Sequence, residues 1–201
     1  VAAFHDGLPA IAAGFCSPDD YRHSVAADVR QMREAGDRLD PPTSEALAEA
    51  MPRSLEPFVD LVARRVAAVA IRRCHGDLHL GNLVLLDGHV RPFDCIEFND
   101  DFRWIDVASE LAFTYVDLLD HNQPRLAAWL LNAWLTEAGD FEAVPVLRFY
   151  AVYKAMVRAK VAGISGNAAA AGGYLHLAES IANPPPPQLT ITFGLSGSGK
   201  T

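Results

Sequence analysis

The chain has 201 residues, half of them apolar and 21% charged, a balance that supports a packed core and excludes a disordered chain. Its formal net charge of -8 repels polyphosphate backbones, so nucleic-acid binding is not expected and a small-molecule partner is. Cys16, Cys74 and Cys95 form no C-x-x-C pair, and apolar runs such as Val66 to Ile71 fall far short of a bilayer span, so a cytoplasmic protein with no membrane partner is expected.

The first seventy residues read as helical. Ser17, followed by Pro18 and two acids, marks a helix start, with apolar residues recurring at Val25, Val29 and Met32. Pro41 and Pro42 end that pattern. Thr43 or Ser44 then opens a second helix whose buried stripe runs through Leu47, Met51, Leu55, Val59 and Val62, with Pro52 and Pro57 implying a kink or split. Arg64, Arg65, Arg72 and Arg73 read as a solvated face, with a phosphate or substrate patch as the alternative.

From Ala70 to Cys95 the texture changes to short apolar runs, Ile71 to Cys74, Leu83 to Leu86 and Val90 to Phe93, separated by Gly, Asp and Asn. Asp87-Gly88 between the last two runs predicts a hairpin, because both residues tolerate the positive φ of a tight turn. After Asp106 the pattern returns to helix, in four segments broken near His121 to Pro124, Gly139 to Asp140 and Gly163 to Asn167. Their aromatic residues, among them Phe113, Trp129, Trp134, Phe149 and Tyr153, read as core packing. Pro184 to Pro187 then reads as a semi-rigid linker, and Leu189 to Phe193 as a strand opening a second domain. No internal repeat is visible.

The chemistry concentrates in His75-Gly76-Asp77-Leu78-His79-Leu80-Gly81-Asn82, followed twelve residues later by Asp94. Phosphoryl transfer needs an acceptor for the proton of the attacking hydroxyl and oxygen ligands that place Mg2+ on the nucleotide phosphates. An Asp with an Asn five residues on, plus an Asp from the following hairpin, supplies those parts. Two other accounts of His75-x-Asp77-x-His79 stay open: a hydrolase-like metal cluster, or a turn whose side chains bond to backbone.

This H-G-D-x-x-x-x-N pattern with its downstream aspartate resembles the catalytic loop of aminoglycoside phosphotransferases, choline kinases and related small-molecule kinases. The resemblance implies that Asp77 is the catalytic base, that Asn82 and Asp94 are Mg2+ ligands, and that His75 is a buried residue propping the loop. It extends through Phe93 to Leu119, where Glu97 is either solvated or near the metal and Asp106 is a helix cap or brace. Cys95 stands where protein kinases have the Phe of D-F-G, which points to the small-molecule branch. The first lysine is Lys154, after the catalytic loop, and no glycine-rich loop precedes His75, so the nucleotide-gripping N-lobe is expected outside these residues.

A second motif, Gly194-Leu195-Ser196-Gly197-Ser198-Gly199-Lys200-Thr201, is a complete G-x-x-x-x-G-K-T. The backbone of Gly194, Gly197 and Gly199 would cradle phosphates, Lys200 would reach the β/γ oxygens and Thr201 would ligate Mg2+. The chain opens at Val1 and stops at Thr201, so it reads as a piece of a longer protein, resembling bacterial fusions of such a kinase domain to an AAA-type ATP-binding domain.

The expected architecture is α+β: a protein-kinase-like C-lobe over residues 1–183, mostly helical with a small β-ribbon carrying the catalytic loops, a linker over 184–187, and the truncated start of a P-loop domain over 188–201. The expected activity is transfer of the ATP γ-phosphate to a small-molecule hydroxyl with Mg2+, with little activity in these residues alone. The alternatives are a P-loop kinase or ATPase with a degenerate first domain, and a pseudokinase-like scaffold.

Overall fold

In the computed structural model, the described residues are 1–10, 61, 64–66, 68 and 70–186, together with 19, 22, 23, 26, 27, 30, 45 and 49. Most of the two helices predicted before Ala70, Pro187, and the whole segment 188–201 with its P-loop motif therefore lie outside the described residues.

The chain begins with a short helix, α1 (Ala2–Asp6), and reaches β1 (Ile71–Arg73) just before the H-G-D loop. A 3-10 turn over Leu80–Asn82 closes that loop and leads directly into the hairpin β2 (Leu83–Leu86) and β3 (His89–Pro92). The hairpin pairs Leu83 with Pro92 and Leu86 with His89. Asp87 and Gly88 turn it at φ values of 51° and 75°, the paired left-handed conformation that a two-residue hairpin requires.

A strand absent from the sequence expectation follows. After a 3-10 turn over Asp100–Arg103, β4 (Trp104–Asp106) pairs antiparallel with β1, setting Ile71 against Asp106 and Arg73 against Trp104. The small ribbon is thus two separate two-stranded sheets, one nested inside the other along the chain. The outer pair fastens the entrance of the H-G-D loop to the start of the next helix, and the inner hairpin projects between them.

Four helices complete the described residues: α2 (Val107–Asp120), α3 (Pro124–Ala138), α4 (Val144–Ile164) and α5 (Ala168–Ala182). Their boundaries have local causes. Asp106 caps α2 by accepting the Ala108 N–H at 2.9 Å. Pro124 begins α3 where no intrahelical N–H is needed, and Gly139 ends it at φ 66°. Asn167 caps α5 through the Ala170 N–H.

The core lies where α2, α4 and α5 meet. Small residues line it, including Ala108 and Ala112 of α2, Ala155 and Ala159 of α4, and Ala171 and Ala178 of α5, and they let the helices approach closely. Leu111, Met156 and Leu175 fill the remaining space, each worth about 1.5–3 kcal/mol of apolar burial. Cys74 joins this core, and burial, with Glu110 nearby, pushes its thiol far above the usual range, so it behaves as an inert apolar group.

The arginines depart from the solvated face expected of them. Arg65 is 1% exposed and donates to both oxygens of Asp106, at 2.6 and 2.7 Å, and to both oxygens of Asp140, at 2.8 Å each. Burial alone would weaken the guanidinium's hold on its proton, but the two carboxylates outweigh it and raise its pKa. Arg72 donates to the carbonyls of Asp6 and Leu8, Arg73 pairs with Asp100, and only Arg64 is simply exposed. Arg72 thus ties β1 to the end of α1, Arg73 ties β1 to the 3-10 turn before β4, and Arg65 ties Asp106 of β4 to Asp140, while the Tyr150 hydroxyl adds a 3.2 Å bond to Asp106.

Candidate active site

The H-G-D loop lies on α2, and its alternation is the key to the site. Glu110, Thr114 and Asp117 recur at four- and three-residue steps, which places all three within about 60° of arc on one helix face. Each grips the loop backbone at every second residue. Glu110 Oε1 accepts the Gly76 N–H at 2.9 Å, the Thr114 hydroxyl donates to the Leu78 carbonyl at 2.6 Å, and Asp117 Oδ2 accepts the Leu80 N–H at 2.8 Å. All three side chains are buried. The residues between, Asp77 and His79, are only partly buried and pair with each other.

Gly76 is obligatory for this path. Its φ is 89°, and a Cβ there would stand 2.9 Å from Ile96 Cδ1 and 3.1 Å from the Phe102 carbonyl oxygen. The close approach packs the loop against the segment that follows Asp94, and the Ile96 N–H donates to the His75 carbonyl at 3.2 Å. His75 itself is 3% exposed, and its Nε2 bonds the Phe93 carbonyl at 2.7 Å.

Asn82 is 7% exposed and joins the other parts. Its Nδ2 donates to the Asp77 carbonyl at 2.9 Å and approaches Asp77 Oδ2 at 3.4 Å, while its own carbonyl accepts the Phe93 N–H at 3.0 Å. Phe93 immediately precedes Asp94, so His75 holds the peptide that joins them and Asn82 holds the peptide before it. Asp94 sits at φ 58°, a left-handed conformation that costs a non-glycine residue energy and concentrates at functional sites. The loop that the resemblance singles out and the segment carrying Asp94 are therefore tied together by three hydrogen bonds, two between main-chain groups and one from the His75 ring.

Two oxygen groups here have no donor among the described residues. The Asp94 carboxylate accepts no hydrogen bond from the described residues, and with Nδ2 of Asn82 committed to Asp77, neither does Asn82 Oδ1. A carboxylate and an amide oxygen are the hard donors that Mg2+ selects, so the donor set fits that ion. The hydrolase-like cluster is not formed. His79 uses Nδ1 to accept the Gly81 N–H at 3.0 Å, and the one trio of ligand-type groups close enough to share an ion among the described residues is Asp117, Asp120 and His121.

Asp77 lies in a positive environment. Burial works to raise its carboxyl pKa, but the His79 ring, 3.5 Å from Oδ2, together with the charges of Arg158 and Lys154, outweighs it and holds the group below the usual aspartate range. Gly81 backs the His79 ring, since a Cβ there would fall 2.8 Å from its Cε1. Phe113 packs on the same imidazole with centroids 6.2 Å apart, and Lys154 Nζ lies 4.6 Å from the Phe113 ring centre.

Sequence reasoning did not anticipate Glu110, Thr114 or Asp117, nor the approach of Lys154 and Arg158 on α4. Polar residues at helical spacing inside an otherwise apolar segment were the available signal. Arg158 donates to the Tyr174 hydroxyl, which donates in turn to Asp117 Oδ1 at 3.2 Å. Burial pushes that hydroxyl up to about 12, against the pull of Arg158. Glu97 is exposed, and Asp106 is the buried cap described above. Gly194, Gly197, Gly199, Lys200 and Thr201 lie outside the described residues.

Comparison with known proteins places these features in a family. Uncharacterized proteins of Mycobacterium tuberculosis and Mycobacterium bovis are each 29% identical to the chain over 150 residues, which is 71% of this chain and 30% of theirs. The chain thus spans under a third of the length of these curated relatives. No solved structure matches it significantly. The sequence model of the phosphotransferase enzyme family matches residues 1–150, which include the whole H-G-D loop, the hairpin and α2 with its three gripping side chains, and the chain belongs to that family.

Proposed function

We propose that the intact protein transfers the γ-phosphate of ATP to a hydroxyl group of a small molecule. The observation that carries this reading is the tethered trio: Asn82 Nδ2 on Asp77, the Asn82 main-chain carbonyl on the N–H of Phe93, the residue before Asp94, and an Asp77 held ionised, with the Asn82 Oδ1 and Asp94 carboxylate oxygens accepting no hydrogen bond from the described residues. Asn82 Oδ1 and the Asp94 carboxylate would hold Mg2+, which when bound neutralises charge on the nucleotide phosphates.

Asp77 accepts a hydrogen bond from the acceptor hydroxyl and orients its lone pair toward the phosphorus. A carboxylate with a depressed pKa is a weak base, so it takes the proton late, once bond formation has made the hydroxyl acidic. His79 keeps Asp77 ionised and turned outward. His75 acts through backbone, holding Phe93 and therefore Asp94 against the loop. ATP, Mg2+ and a hydroxyl-bearing small molecule are thus the proposed partners. The charge of -8 argues against nucleic acid, and no described helix is long and apolar enough to cross a membrane.

We also read residues 188–201 as the opening of a nucleotide-binding P-loop domain, on the strength of its motif. Two variants of the intact protein separate the domains. Asp77→Asn is expected to lower Mg-ATP-dependent transfer about 10²–10⁴-fold with the fold intact, whereas Lys200→Ala leaves transfer at the H-G-D site measurable. Near-normal turnover by Asp77→Asn, with loss in Lys200→Ala, would overturn the assignment.

A further inference from the structure

We propose that His5, seventy residues before the H-G-D loop, is a positioning residue that acts on Asp77 through Glu110 and is itself set by Trp134. The relay has three links. Trp134 Nε1 lies 3.1 Å from His5 Nδ1, His5 Nε2 lies 3.1 Å from Glu110 Oε2, and Glu110 Oε1 accepts the Gly76 N–H at 2.9 Å. His5 and Trp134 are each 3% exposed and Glu110 is 0% exposed, so all three links are buried.

Chemistry permits one polarity along this chain. An indole N–H only donates, so His5 Nδ1 is the acceptor. A ring accepting at Nδ1 carries its proton on Nε2, which therefore donates to Glu110. With both ring nitrogens engaged, the imidazole fixes the carboxylate, and the carboxylate's second oxygen fixes the Gly76 peptide. Gly76 has no freedom to compensate, because Ile96 and the Phe102 carbonyl press on its other side. Its peptide sets the direction in which the next residue, Asp77, leaves the backbone. Helices α1 and α3 are coupled in this way to the reacting group.

The activity readout rests on the phosphotransferase reading, so the test pairs it with one that does not. Glu110→Gln keeps shape but introduces a donor. Its NH2 group faces either the Gly76 N–H or His5, and in the second case it meets Nε2–H unless the ring changes tautomer and turns Nδ1–H against the indole. In the intact protein, Glu110→Gln and His5→Phe are expected to lower kcat about tenfold or more, with KM for Mg-ATP within about twofold. Trp134→Phe added to Glu110→Gln removes the opposing donor and is expected to restore part of kcat, about threefold or more on the same scale. Gly76 amide exchange, which needs no activity, is expected to speed up in both single variants and to slow again in the double variant.

Wild-type kcat and wild-type Gly76 exchange in His5→Phe would overturn the proposal. So would a fall in kcat that tracks loss of folded protein, with no recovery in the double variant. If the wild-type protein transfers no phosphate, the functional reading fails, and the Gly76 exchange pattern alone decides the relay.

Discussion

The two sides of the H-G-D loop obey opposite rules. Behind it, Glu110, Thr114 and Asp117 are buried and each meets a backbone group at hydrogen-bonding distance. In front, Asp94 is exposed, takes no hydrogen bond from the described residues and sits at a left-handed φ of 58°, and Asp77 is held ionised and only partly buried. From Gly76 to Leu80 the loop therefore alternates residues whose backbone α2 holds with residues left partly open. A loop with buried anchors can hold exposed charges in one geometry without ordering them at the moment of reaction.

Substitutions on the two sides should separate stability from activity. The largest loss of stability is expected for Glu110→Ala, which leaves the His5 Nε2–H and the Gly76 N–H both unpaired in the core, at about 1–3 kcal/mol for each orphaned donor. Denaturant unfolding measures it, and a loss below about 1 kcal/mol would show the grip to be incidental. Gly76→Ala comes next, at about 1–3 kcal/mol, because an L side chain is strained at φ 89° and meets Ile96 and the Phe102 carbonyl. Thr114→Val removes one hydroxyl from the Leu78 carbonyl at nearly constant volume and should cost about 1–2 kcal/mol in the same experiment. At the other end of the scale, Asp94→Asn should change stability by less than about 0.5 kcal/mol.

Acid sharpens the contrast further. Burial works to raise the Glu110 carboxyl, yet the His5 hydrogen bond and the Gly76 and His75 N–H groups hold it below the ordinary glutamate value of 4.5. A carboxyl whose folded pKa is depressed contributes fully above its unfolded value, and the contribution is lost as pH falls through the folded one. Stability should therefore decline below about pH 4.5, and Glu110→Gln should flatten that decline. Parallel acid profiles for the two proteins would contradict this.

Much of the frame was legible because local chemistry decides it. Asp87-Gly88 specifies its hairpin turn, and the breaks before Pro124, at Gly139 and before Asn167 fall where the helices end. The strand β4 was not legible. Trp104 to Asp106 is too short to show alternation, and it is a strand only because β1 lies beside it. Arg65 misled for a related reason: a run of arginines suggests solvent, and only the distant Asp106 and Asp140 make its burial favourable. The candidate site divides the same way. The spacing of Asp77, Asn82 and Asp94 is written in one stretch of chain, whereas the relay from Trp134 through His5 to Glu110 joins residues more than a hundred positions apart.

The most direct measurement is Mg-ATP-dependent phosphate transfer by the intact protein, with wild type and Asp77→Asn compared at equal folded concentration. The account predicts matching unfolding curves and a fall in turnover of about 10²–10⁴-fold in the variant. Equal turnover in the two proteins would contradict it.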